Sequence, residues 1–204
     1  MYMYRFEDEN CECDSECEKK KAEESDGMNE KFFKTRQIIL SGEINDEMAQ
    51  DIVRQLFTME AENNEPIRIF IDSPGGSVDS GFAIFDTIRF INCPVYTIGM
   101  GLVASAAALI LLAAPKENRF AFPNSHYLLH QPLLSGMRGT ATEIEIQAAE
   151  IEKTKTRLNE LISEETGKAI KQVEKDTDRD FWLGAKEALE YGLVSKVLTK
   201  RSEL

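Results

Sequence analysis

Histidine is nearly absent from this chain: its 204 residues include two, His126 and His130. Chemistry that needs an imidazole must use one of them. Cysteine is scarce as well, and three of the four (Cys11, Cys13 and Cys17) fall in the first seventeen residues, leaving Cys93 alone. No disulfide framework can be built from that distribution, so free thiols in a reducing, cytoplasmic setting are expected. The C-x-C-x3-C cluster has thiol spacing suited to a soft metal, but no fourth ligand stands nearby, and an acidic tail that carries thiols accounts for it. No metal or other cofactor is expected. Long hydrophobic runs are missing too. The most apolar stretch, Leu102–Ala114, is too short to span a bilayer, and the acidic N-terminus lacks the apolar core of a signal peptide. Basic residues are outnumbered, 24 Lys and Arg against 36 Asp and Glu, for a net charge of −12. That balance excludes the basic footprint of a nucleic-acid binder, and no membrane partner is expected. No Gly-x4-Gly-Lys-Ser/Thr loop occurs, so the chain has no phosphate cradle with which to use ATP.

What is present falls into two parts. Residues 1–30 hold eleven Asp and Glu against four Lys and Arg, with few apolar positions, the composition of a flexible acidic arm. Residues 31–204 are long enough for one domain with an ample core. Within it, strands are expected at Ile38–Leu40, Ile67–Ile71 and Pro94–Ile98, with further short ones at Arg119–Phe122, Tyr127–Leu129 and Val194–Leu198. Between them lie amphipathic helices, one from Asn45 to about Asn63 and one over Val78–Phe90. The uncharged run Leu102–Ala114 is expected to be a helix buried on nearly all sides, with Ser105 in its first turn. A long charged helix from Thr140 or Thr142 to about Glu165 ends at Gly167, and helices Lys168–Lys175 and Ala185–Tyr191 follow. This strand–helix alternation implies an α/β fold built of βαβ units, from which the 140–165 helix projects.

Three features bear on Ser105. A hydroxyl among apolar side chains is costly unless bonded, and the first turn of a helix offers free N–H groups and positive dipole character. Taken alone, such a serine reads as one bonded back to a carbonyl, or as a cap. Gly75-Gly76, between a strand and a helix, lets backbone N–H groups approach a ligand closely; it is also simply a tight turn. His130 closes a strand and reads either as a bonded core histidine or as a base. Its i, i+4 spacing from His126 lies on a strand and lacks the glutamate of a zinc peptidase helix. Asp176, Asp178 and Asp180 crowd one loop, where a carboxylate could orient an imidazole or merely decorate a turn.

Residues 33–198 resemble the ClpP family of serine peptidases, the proteolytic subunit of the ATP-dependent Clp protease. The resemblance rests on Asp72-Ser73-Pro74-Gly75-Gly76-Ser77-Val78, Gly81–Ile84, Gly101-Leu102-Val103-Ala104-Ser105, Arg119-Phe120 through Pro123-Asn124, and Leu129-His130-Gln131-Pro132. Ala141–Ile146, Asp176–Asp180, Glu187-Ala188 and Tyr191–Val194 complete it in the same order. The resemblance implies a ClpP/crotonase-type fold of repeated β-β-α and βαβ units, with a handle at about 131–165. It implies Ser105 as nucleophile, His130 as general base and Asp180 as the orienting acid, with the N–H groups of Gly75 and Ala106 as oxyanion donors. It further implies heptameric rings stacked in pairs into a tetradecamer. Asp178 and Arg179 would form the contact between rings, and Phe70 and Phe90 would lie where an ATP-driven AAA+ unfoldase docks. Unfolded polypeptide is the implied substrate. An alternative is an auxiliary structural ring subunit that needs a ClpP paralogue for activity. A third reading, an acyl-CoA enzyme of the crotonase type, shares the fold but does not account for the Ser, His and Asp set.

Overall fold

β1 (Gln37–Ser41), β2 (Ile67–Ser73) and β3 (Val95–Ala104) pair in parallel at the centre of the sheet. Every other residue of β2, from Ile67 to Ser73, is fully buried, as expected of a strand covered on one face and partly covered on the other. The computed structural model describes residues 30–133, 136 and 138–204. Residues 1–29 of the expected arm, with Cys11, Cys13 and Cys17, lie outside them. Residues 36–204 form one compact unit, and the described residues before Arg36 belong to another.

Between β1 and β2 runs α1 (Asp46–Glu62), begun by Asn45, whose side chain accepts the Met48 N–H. It buries Ala49, Ile52, Leu56 and Met59 at helical spacing. Between β2 and β3 runs α2 (Val78–Phe90), capped by Ser77. After β3 come the short α3 (Ala106–Leu111), β4 (Arg119–Ala121) and β5 (His126–Leu129). Next is the 26-residue α4 (Ala141–Thr166), opened by a Thr140–Glu143 capping box and closed by Gly167 at φ 77°. Residues 141–150 are exposed throughout, and burial is confined to the far end, at Asn159, Ile162 and Thr166. The chain ends with α5 (Ile170–Thr177), β6 (Phe181–Gly184), α6 (Ala185–Tyr191) and β7 (Lys196–Val197). The result is an α/β fold on a mostly parallel seven-stranded sheet, order β1-β2-β3-β4-β7, with β5 on β3 and β6 antiparallel to β5.

β3 forks the sheet. Its residues 97–99 pair with β4, and Leu102–Ala104 pair with β5. The expected helix over Leu102–Ala114 therefore starts late: Leu102, Val103 and Ala104 extend the strand, and helix begins at Ala106. Ladder partners on β5 outweigh the intrinsic helix preference of these residues. The burial expected for this run holds, since every residue from Ala106 to Ala114 is at most 4% exposed. β6 was not anticipated. Its four residues lie between the Asp-rich loop and the helix expected at Ala185, and they become a strand by pairing with β5.

The fork requires glycine. A Cβ on Gly99 would lie 2.3 Å from the Tyr127 hydroxyl and 2.9 Å from its Cζ. Tyr127 is fully buried, its hydroxyl oxygen accepts from the Ser125 hydroxyl at 2.9 Å, and burial pushes its phenol up to about 12. Gly99→Ala is expected to cost about 1–3 kcal/mol as an overpacking change, read from the urea midpoint. Adding Tyr127→Phe should return part of that loss, because one of the close contacts disappears. Full additivity of the two losses would show that the ring is not what the methyl meets.

Candidate active site

Ser105 occupies the junction of β3 and α3 at φ 55° and ψ −121°, one of two non-glycine residues with positive φ among those described. Backbone in such a region costs of order 1–3 kcal/mol and persists only where the surroundings enforce it. Two contacts enforce it here. The Ser105 N–H donates to the Leu128 carbonyl at 2.9 Å. On the other side Gly75 packs so close that a Cβ would stand 2.6 Å from the Ala104 oxygen and 2.7 Å from the Ser105 Cβ. A sharp turn from strand to helix presents the hydroxyl outward from the sheet.

β5, which holds the Ser105 amide, ends one residue before His130. Ser105, Ala106 and His130 line one small cavity, closed by Val78, Leu109, Leu129, Leu158 and Ile162. His130 is 13% exposed, and its Nδ1 stands 3.8 Å from Asp180 Oδ1. That separation is longer than a hydrogen bond. Asp180 itself is 65% exposed, on the link between α5 and β6. No hydrogen bond joins the Ser105 hydroxyl to His130 among the described residues. Unliganded sites often show such bonds long, to be tightened when substrate binds. Three residues distant in sequence are thus brought to one place.

The two glycines of the turn differ in their amides. The Gly75 N–H donates to Ser73 Oγ at 3.1 Å, and Ser73 in turn donates to the Gly42 carbonyl. Ile44 pairs with Gly76 by donating to the Gly75 carbonyl and accepting from the Ser77 N–H, each at 2.8 Å. The Gly76 N–H is thereby turned away from Ile44, and it has no acceptor among the described residues. The Ala106 N–H, first in α3, also lacks one. Of the expected pair, Ala106 keeps a free amide, while Gly75 does not; its neighbour Gly76 does.

Residues 20–201 match the Clp protease family. The chain belongs to that family. It is 61% identical over 191 residues to "ATP-dependent Clp protease proteolytic subunit 2" of Treponema denticola, a match spanning 93% of this chain and 95% of the relative. The protein of the same description from Pseudomonas aeruginosa is 46% identical over 177 residues, spanning 87% and 88%. Among solved structures, a ClpP1 mutant from Listeria monocytogenes superposes with a TM-score of 0.80 at 47% identity, over 86% of this chain and 98% of that one. The α/β architecture is that of the Clp protease fold, and the family is one of peptidases.

Elsewhere in this Clp protease chain, Asp178 and Arg179 follow α5 on the exposed side of the site. Arg179 reaches only the Asp178 backbone carbonyl, at 3.4 Å, and forms no side-chain ion pair among the described residues. Phe70 lines an apolar cleft of about 580 Å³ with Phe122, Leu198 and Leu204. Phe90 is not on that cleft. It is 76% exposed and meets Phe57 edge-on at 6.4 Å, so one chain does not bring the two phenylalanines together. Sequence reasoning missed the part α4 plays, since Leu158 and Ile162 wall the cavity and Asn159 is buried beside them. The signal available was a polar Asn159 set among Leu158, Leu161 and Ile162. Among the described residues, no helix is long and apolar enough to cross a membrane.

Proposed function

We propose that the chain is a serine endopeptidase, the proteolytic subunit of an ATP-dependent Clp machine, with Ser105 as nucleophile, His130 as general base and Asp180 as orienting acid. The observation that carries this is the placement of Ser105, at a strained strand-to-helix turn, in one cavity with His130, whose Nδ1 faces Asp180. His130 takes the Ser105 proton as the hydroxyl oxygen attacks a peptide carbonyl, then delivers it to the leaving amine. Water, deprotonated by the same imidazole, releases the acyl group and restores the serine. The free N–H groups of Ala106 and Gly76, with Gly75 shaping the turn, face the oxyanion, a contribution of roughly 3–4 kcal/mol per donor in comparable enzymes.

Residues 31–204 act as one peptidase domain, preceded by an acidic arm. Two heptameric rings, joined through the 131–165 handle and the Asp178 and Arg179 contact, enclose the sites in a cytoplasmic chamber. An AAA+ unfoldase docking at Phe70 and at Phe90 of the neighbouring subunit feeds unfolded polypeptide into it. A fluorophosphonate is expected to form a covalent adduct on Ser105, located by peptide mass mapping, and to spare a His130→Ala variant. Absence of adduct in any assembled state would remove the peptidase role.

A second reading is favoured by the numbered names of the relatives, "subunit 2" and "subunit 3", which mark organisms holding several such subunits. On it the chain is an auxiliary ring member beside an active paralogue. Mixed rings containing Ser105→Ala then retain full peptide hydrolysis, whereas on the first reading they lose this chain's share.

A further inference from the structure

We propose that Asn159 and Thr177 are positioning residues for the site, tying α4 to the two segments that carry His130 and Asp180. This rests on the serine peptidase reading above. Asn159 on α4 and Thr177 at the end of α5 are 4% and 1% exposed. The Thr177 hydroxyl lies 2.8 Å from Asn159 Oδ1 and 3.0 Å from the Val173 carbonyl. The Thr177 carbonyl accepts the Gln131 N–H at 2.7 Å, and Gln131 Nε2 donates to the Asp178 carbonyl, also at 2.7 Å. Gln131 directly follows His130, and Thr177 precedes Asp180 by three positions. The strand end bearing the base and the loop bearing the acid are thus bonded to one another, and the buried Asn159–Thr177 pair fastens both to α4.

Chemistry supports a positioning role over mere packing. Two buried polar side chains cost free energy unless they bond each other, and an apolar pair of similar shape would hold two helices together as well. A polar pair adds direction: it admits one register of α4 against the loop. That register matters because Leu158 and Ile162, which flank Asn159 on α4, wall the same cavity as Ser105 and His130. The contact between His130 Nδ1 and Asp180 Oδ1, 3.8 Å, falls ~1 Å short of a hydrogen bond. A small displacement of α4 therefore moves the cavity wall and the distance from acid to base together.

The test uses the assembled full-length protein with Thr177→Val, Thr177→Ser and Asn159→Leu, comparing fluorophosphonate labelling, peptide kcat and KM, and amide hydrogen exchange. Thr177→Val and Asn159→Leu are expected to lower kcat and the labelling rate roughly 10–100-fold, the range produced by ångström-scale misplacement, with KM within about twofold. Thr177→Ser should retain the rates of the unaltered protein. Exchange at Gln131 should quicken in the first two variants, confined to residues near 128–133 and 176–182. Labelling and exchange unchanged in both, or quickened exchange spread over β1, β2 and β3, would overturn the tie. If the unaltered protein takes no label, the peptidase reading fails instead. The exchange pattern, which needs no active particle, then still decides whether the pair holds Gln131 in place.

Discussion

Ser105→Ala is expected to lower kcat for a short peptide by about 10⁵–10⁶-fold, the loss found when a triad nucleophile is removed from a comparable serine peptidase. Its thermal midpoint should stay near that of the unaltered protein, because the hydroxyl is hydrogen-bonded to nothing among the described residues and alanine inherits the same strained φ of 55°. Ser105→Gly should be equally inactive yet more stable, by about 1–2 kcal/mol, since glycine tolerates positive φ at little cost. The pair of variants separates two explanations of one unusual residue. A serine kept for structure would give stability changes with activity intact. A serine kept for chemistry gives activity lost in both, with stability gained in the glycine form. Peptide turnover by either variant at even a hundredth of the normal rate would place the nucleophile elsewhere.

That the strain sits at Ser105 also marks where reading from the residues reached its boundary. The composition of residues 102–114 pointed to a buried helix, and all of 106–114 is buried. The start of the helix was misjudged because Leu102, Val103 and Ala104 have no local reason to be a strand; β5, more than twenty residues on, supplies it. β6 was illegible on the same ground, being a strand only by virtue of His126–Leu129. The caps were different. Asn45, Ser77, Thr140 and Gly167 act within four residues of themselves; Asn45 begins and Gly167 ends its helix where expected, and of the two threonines open as the start of α4 it is Thr140 that caps it. In the site, motif and resemblance pointed to the Ser, His and Asp positions, but not to which glycine amide is free. That depends on Ile44 and Ser73 capturing one side of the turn. Buried partners such as Asn159 carry no local signature beyond a polar residue at an apolar position.

The largest stability effect is expected at Glu165, at the base of α4. Its carboxylate bonds both Arg89 and Arg119, while Arg119 also donates to the Ala114 carbonyl at 2.7 Å and the Glu165 carbonyl at 3.1 Å. Arg119 is 1% exposed, and burial presses its guanidinium below its usual value despite the partner. Removing the carboxylate leaves that charge buried against carbonyl dipoles and the weaker pull of Glu117, so Glu165→Gln should cost about 3–5 kcal/mol. For a unit of this size the loss corresponds to a fall of roughly 6–20 °C in thermal midpoint. Burial works to raise the Glu165 carboxyl, but the hydrogen bonds and charges of Arg89 and Arg119 outweigh it and hold the group below its usual value. A lowered folded-state value means stability that is fully present above the unfolded carboxyl value, about 4.3, and lost as pH falls through the folded one. The gap between the unaltered protein and Glu165→Gln should therefore be constant from pH 7 to about 5 and close below about 4. Urea titrations across that range measure it, and a gap that persists undiminished into acid would mean that shape, not charge, holds the end of α4 to the sheet.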